Sequence, residues 1–159
     1  MNHVGIDYKK NMVSVATIDD TNRHAINLYY EHDMEGKAEF VTRLKNLIIV
    51  LDPEVIAIER ALIYGFARSD RTMVEVHQII EMACGMAAQE IGELIEVISV
   101  MPTQWKKKIL GSGKADKKAS ILHTGYDDHN LADAMCLAEY AKIYYIENKN
   151  NENMELVTI

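Results

Sequence analysis

Val55-Ile56-Ala57-Ile58, four apolar residues in a row between Pro53-Glu54 and Glu59, constrain the fold more than any other stretch of this chain. A short apolar run without polar alternation describes a strand buried on both faces, as in a parallel sheet. Helical patterns stand on either side of it. Residues 36–51 carry Phe40, Val41, Leu44, Leu47 and Ile48 at helical spacing until Asp52-Pro53 stops them. From Ser69 to Ile91 a second pattern runs through Met73, Val76, Ile79, Ile80, Met82 and Met86, with small residues that invite close packing.

The remaining segments extend this frame. Residues 3–7 and 11–18 are strand-like and joined by the polar turn Tyr8-Lys9-Lys10. A third strand is predicted after 19–22, where Ala25, Asn27 and Tyr29 alternate with Ile26, Leu28 and Tyr30, completing a three-stranded antiparallel meander. Residues 94–100 predict a further strand, Pro102 opens a short segment through Leu110, and Gly111-Ser112-Gly113 forms a turn before helices at 115–123 and 129–147. Residues 148–159 are expected to be a frayed polar tail. With no repeat or low-complexity linker, the chain is expected to be one α/β domain over 1–147, with a mixed central sheet of about five strands flanked by helices.

A length of 159 residues suits one domain with a sizeable core. No apolar run approaches the ~20 residues needed to span a bilayer, and Met1-Asn2-His3 leads directly into a strand, so a cytoplasmic protein without membrane association is expected. Cys84 and Cys136 lie singly in apolar helical patterns, which points to buried free thiols and sets thiol chemistry aside. The net charge of −7 argues against nucleic-acid binding, which is mainly electrostatic. Its distribution argues the other way. Residues 104–118 hold six lysines (Lys106, Lys107, Lys108, Lys114, Lys117 and Lys118) against one acid, Asp116, and such a local basic surface can bind DNA on an acidic protein.

Three carboxylates occupy unusual places. Asp7 and Glu59 stand at the ends of apolar strands, and Asp133 interrupts the apolar helical run Leu131-Ala132-Asp133-Ala134-Met135-Cys136, whose alanines would let the helix lie close to a sheet. Desolvating an ionised carboxylate is costly, so one beside a core usually has a cation, hydrogen bonds or water access. Each has an ordinary explanation singly: Asp7 ends a strand at a turn, Glu59 pairs with Arg60, and Asp133 favours the start of its helix. Jointly, acids from three distant segments fit one hard-cation site with oxygen ligands. His129 and Asn130 lie four and three residues before Asp133 and can share its helix face, offering an imidazole nitrogen or an amide carbonyl as a further donor. The alternative is that Asp127 or Asp128 caps the helix and His129 is simply exposed.

Gly5-Ile6-Asp7, Ile58-Glu59-Arg60, the stretch Gln104-Trp105-Lys106 through Leu110-Gly111-Ser112-Gly113-Lys114-Ala115-Asp116-Lys117, and Ala132-Asp133-Ala134 together resemble, in the same order, the RuvC Holliday-junction resolvases. The resemblance covers roughly residues 3–146 and implies an RNase H-like fold. It implies a homodimeric endonuclease that binds four-way DNA junctions and resolves them by paired symmetric nicks in recombination and repair. Two Mg²⁺ or Mn²⁺ ions per site and no nucleotide cofactor are implied. Asp7, Glu59 and Asp133 become implied metal ligands, and Lys106 and Lys117 implied contacts to the DNA phosphate or the transition state.

The chain departs from the family in places. Tyr8-Lys9 follows Asp7 where the family shows Pro-Gly, and Asn130 stands where a second helix acid is usual. The span from Lys117 to Asp133 is short, as in compact phage-encoded relatives. Where the family places an aromatic near the junction centre this chain has Leu62, with Tyr64 and Phe66 close by as candidate stacking residues. Three rival readings remain open: an RNA-processing nuclease of the RuvX type, a catalytically weak junction-binding protein, and an actin-like nucleotide-binding domain. The last is disfavoured because Gly111-Ser112-Gly113-Lys114 lacks Walker spacing.

Overall fold

The computed structural model describes residues 1–60 and 68–157. Strands β1 (Asn2–Tyr8), β2 (Met12–Ile18) and β3 (Arg23–Tyr29) form the antiparallel meander, followed by helix α1 (Met34–Leu51), β4 (Pro53–Glu59), α2 (Arg68–Ile91), β5 (Glu96–Val100) and helices α3 (Pro102–Leu110), α4 (Lys117–Thr124) and α5 (His129–Val157). The sheet order is β3-β2-β1-β4-β5, with β4 parallel to both β1 and β5. This is the mixed five-stranded sheet expected from the sequence.

Local chemistry sets the boundaries. Asp33 caps α1 by accepting from the Gly36 N–H, and Asp52 ends the helix in the left-handed conformation (φ 46°) directly before the proline that opens β4. The period of two then sorts the strands between two layers. Val4, Ile6, Tyr8, Val13, Val15, Ile56 and Ile58 face α1 and α2, where Phe40, Leu44, Ile48, Val76 and Ile80 cover them. The opposite face packs on α3 and α5: Val55, Ala57 and Val100 meet Trp105, Cys136, Leu137 and Ala141, while Ala16 and Ile18 meet Ala134, Met135 and Ala138. Both cysteines are buried and free, as expected.

Helix α5 crosses β1 at Gly5. A Cβ at that position would lie 2.1 Å from the Ala134 carbonyl oxygen and 2.2 Å from the Ala138 nitrogen, so the two backbones rest directly on one another. No larger residue fits there without moving the helix.

Two expectations need correction. Residues 148–157 are not a frayed tail but continue α5 to Val157, because nothing in Asn148-Lys149-Asn150-Asn151-Glu152-Asn153 breaks a helix already nucleated by its packed first half. Strand β5 begins at Glu96 rather than at 94, and Leu94 is wholly exposed. Among the described residues no helix is long and apolar enough to cross a membrane.

Candidate functional site

Asp7 and Glu59 point to the same face of the sheet because each stands one step beyond a residue of the α1/α2 face, Ile6 and Ile58, which pair with one another in the parallel β1–β4 ladder. Helix α5 brings Asp133 to that face beside its rest on Gly5. Asp7, Glu59 and Asp133 lie within electrostatic reach of one another.

All three carboxyls are pushed above the usual carboxylate range. Burial is the first cause in each case. Asp7 rises well above it, with the charges of Glu59 and Asp133 adding to burial; it retains some accessible surface, so the crowding around it outweighs that narrow opening. In Glu59, burial is opposed by the Asp7 hydrogen bond, the Lys106 charge and the Trp105 indole. In Asp133 it is opposed by the Ser120 hydroxyl, then Lys106, His129 and Lys117.

None of the three acids has a lysine or arginine partner at ion-pair distance among the described residues, so the alternative explanation of Glu59, a pairing with Arg60, is not seen. Clustered acids that repel one another and lack a counter-ion are the donor set of a hard-cation site. The cage is not closed: among the described residues, no three His, Cys, Asp or Glu side chains stand as a ready ion-holding group. The donor chemistry fits a divalent cation, which Asp7, Glu59 and Asp133 would hold.

The basic stretch divides by direction. Strand β5 leads from Val100, opposite Glu59, into α3, whose first turn is closed by the Met101 N–H donating to Gln104 Oε1 at 2.9 Å. This directs Trp105 into the core and Lys106 toward the acids, with its ammonium 5.6 Å from the Trp105 ring centre. Lys107 and Lys108 instead line a groove of about 460 Å³ between α3 and α5 that includes none of the three acids, and Lys108 pairs with Glu147 at 2.7 Å. Lys114, Lys117 and Lys118 are exposed, and Lys117, at the start of α4, acts on Asp133.

At the start of α5, Asp128 serves as the cap. Its side chain accepts from the Asn130 N–H at 2.8 Å and from Asn27 Nδ2 at 2.9 Å, while its carbonyl accepts from the Ala132 N–H. Asn27 Oδ1 in turn accepts from Ser14, the β2 residue opposite Asp7, so a polar chain ties the helix start to the sheet beside the acids. His129 is half-buried with Nε2 3.5 Å from Lys9 Nζ, and Asn130 is buried. Tyr64 and Phe66, and Leu62 with them, fall outside the described residues. Sequence reasoning passed over Trp105 and Ser120 as neighbours of the acids. The signal available for Trp105 was an isolated large apolar residue beside three lysines.

No protein-family model matches the chain, and no curated protein sequence matches it. Solved structures do. Thermus thermophilus RuvC superimposes with a TM-score of 0.70 at 20% identity, covering 93% of this chain and 97% of that one. T. thermophilus RuvC in complex with a Holliday junction substrate gives 0.66 at 21% identity, covering 87% and 90%. The yeast mitochondrial Holliday junction resolvase Ydc2 gives 0.57 at 15% identity, covering 98% and 85%. The fold is therefore RNase H-like, in the form shared by the RuvC-like resolvases.

Proposed function

We propose that this chain is a metal-dependent, structure-selective endonuclease that resolves four-way DNA junctions by paired nicks. The observation that carries the reading is the meeting of Asp7, Glu59 and Asp133 on the α5 face of an RNase H-like sheet, without basic partners and with Lys106 alongside. The RuvC structure with a Holliday junction substrate supports branched DNA as the ligand class.

In this reading Asp7, Glu59 and Asp133 hold two divalent cations, with His129 or Asn130 as a further donor. When bound, such ions supply an activated water and neutralise charge on the phosphodiester and its leaving oxygen. The chain's own groups do the rest. Asp7 and Glu59, whose carboxyls burial holds above the usual range, must be deprotonated to serve as donors, so ion binding would release protons. Lys106 faces the position where phosphate charge builds, and Lys117, with the exposed Lys114 and Lys118, holds the DNA backbone. Two copies related by a two-fold axis would present two such sites to a two-fold branched substrate, so selectivity would come from DNA shape.

A second reading, a junction-binding protein with weak cleavage, is favoured by Asn130 at a position where an acid is expected. Labelled four-way, three-way and linear DNA, incubated with EDTA, Mg²⁺ or Mn²⁺, separates the two. Symmetric paired nicks in four-way DNA only with an ion support the resolvase. Tight junction binding with no nick under either ion supports the binding protein, and preferential cleavage of RNA overturns both.

A further inference from the structure

The indole of Trp105 is 1% exposed, yet its Nε1–H finds no hydrogen-bond partner among the described residues. A buried tryptophan ordinarily satisfies that donor, and an apolar position facing Val55, Ala57, Val100 and Leu137 would accept a phenylalanine or leucine that brings no N–H to satisfy. The acceptor within its influence is the Glu59 carboxylate. Geometry brings the two together: Glu59 pairs with Val100 at the end of β5, the Arg60 N–H donates to the Val100 carbonyl at 2.7 Å, and α3 starts at once from there. Lys106 Nζ lies 5.6 Å from the indole ring centre and its charge also acts on Glu59, so the indole, the ammonium and the carboxylate are neighbours.

We propose that Trp105 is a positioning residue whose indole N–H donates to Glu59 when that carboxylate is drawn into place by a divalent cation, fixing which oxygen faces the ion. The inference rests on the cation site proposed above. A donor held by core packing selects one orientation of a carboxylate that would otherwise rotate. Partners of this kind typically change metal affinity about 10- to 100-fold when removed.

Trp105 is the only tryptophan in the chain, so a ¹H–¹⁵N spectrum contains a single indole resonance. The resonance is expected to shift when Mg²⁺ is added to the full-length protein, and Glu59→Gln is expected to abolish that Mg²⁺ response. Trp105→Phe, which keeps the ring and loses the donor, should raise the Mg²⁺ concentration for half-maximal cleavage about 10- to 100-fold with little change in KM for junction DNA. If Trp105→Phe does not fold, the indole resonance in the Glu59→Gln protein still decides. An indole signal unmoved by both Glu59→Gln and Mg²⁺, in a protein that cleaves junctions, overturns the positioning role and leaves the nuclease reading intact. A signal that shifts with Mg²⁺ in the wild type and not in Glu59→Gln, in a protein that never cleaves DNA, overturns the nuclease reading and leaves the Trp105–Glu59 contact standing.

Discussion

Asp7 and Glu59 end neighbouring parallel strands one step beyond the paired Ile6 and Ile58, and burial together with the Glu59 charge pushes the Asp7 carboxyl well above the usual carboxylate range. The raised Asp7 pKa has a definite consequence for stability. Between the ordinary carboxylate range and the raised folded-state value, the folded chain keeps a proton that the unfolded chain has released, so metal-free stability falls as pH climbs through that window.

Asp7→Asn removes this loss. In EDTA at neutral pH its Tm should exceed that of the wild type by about 2–4 °C, the response to about 1 kcal/mol in a domain of this size. The gain should vanish below the ordinary carboxylate range, where both states are protonated. The same variant should bind four-way junctions normally and not nick them; near-normal nicking would remove Asp7 from the site.

Lys106 bears on both Glu59 and Asp133, Lys117 on Asp133 alone, and Lys108 is engaged by Glu147. Lys106→Ala should therefore lower turnover by about 10²–10³, the scale for losing one electrostatic stabiliser. Lys117→Ala should chiefly weaken binding and reduce the salt slope of affinity by about 1, and Lys108→Ala should have the smallest effect. Unchanged rate and salt slope in the first two variants would sink both assignments.

His129 offers an imidazole on the face of α5 that carries Asp133, next to Lys9. Mn²⁺ accepts imidazole more readily than Mg²⁺ does. Mn²⁺ should accordingly support faster cleavage, and His129→Ala should erase the difference. The same Mn²⁺/Mg²⁺ ratio in wild type and variant would leave Asn130 or water as the further donor.

Gly5→Ala should destabilise the protein by about 3 kcal/mol, the upper end of overpacking costs, because the added methyl meets backbone atoms of α5 that no side-chain rotation can relieve. Denaturant unfolding gives the value directly. A change below about 0.5 kcal/mol, an ordinary surface effect, would mean that the helix does not rest on that residue.

The meander, the buried β4 and the three acids at apolar elements were legible in the sequence because period-two alternation and the desolvation of Asp7, Glu59 and Asp133 leave local signatures. Their meeting was suggested by chain order, but how closely they meet depends on the α5–Gly5 contact, which joins residues far apart in sequence. The extension of α5 was missed because its asparagine-rich end has low helix propensity and no apolar stripe, so a packed helix propagating into it looks like a tail. Trp105 was read as part of a basic segment; its relation to Glu59 arises from the β4–β5 pairing, which no window of sequence contains.

The 29 residues of α5 correspond to a rod of about 44 Å, against about 23 Å for a seven-residue strand of the sheet beneath it. It rests on Gly5 through the backbone between Ala134 and Ala138. From the middle of that contact Asp133 is about 4.5 Å along the axis, and Val157 about 31 Å in the other direction. A change on the outer third of α5 therefore acts at least about 22 Å along the axis from Asp133, beyond the buried segment Ala132–Ala141 that packs on the sheet.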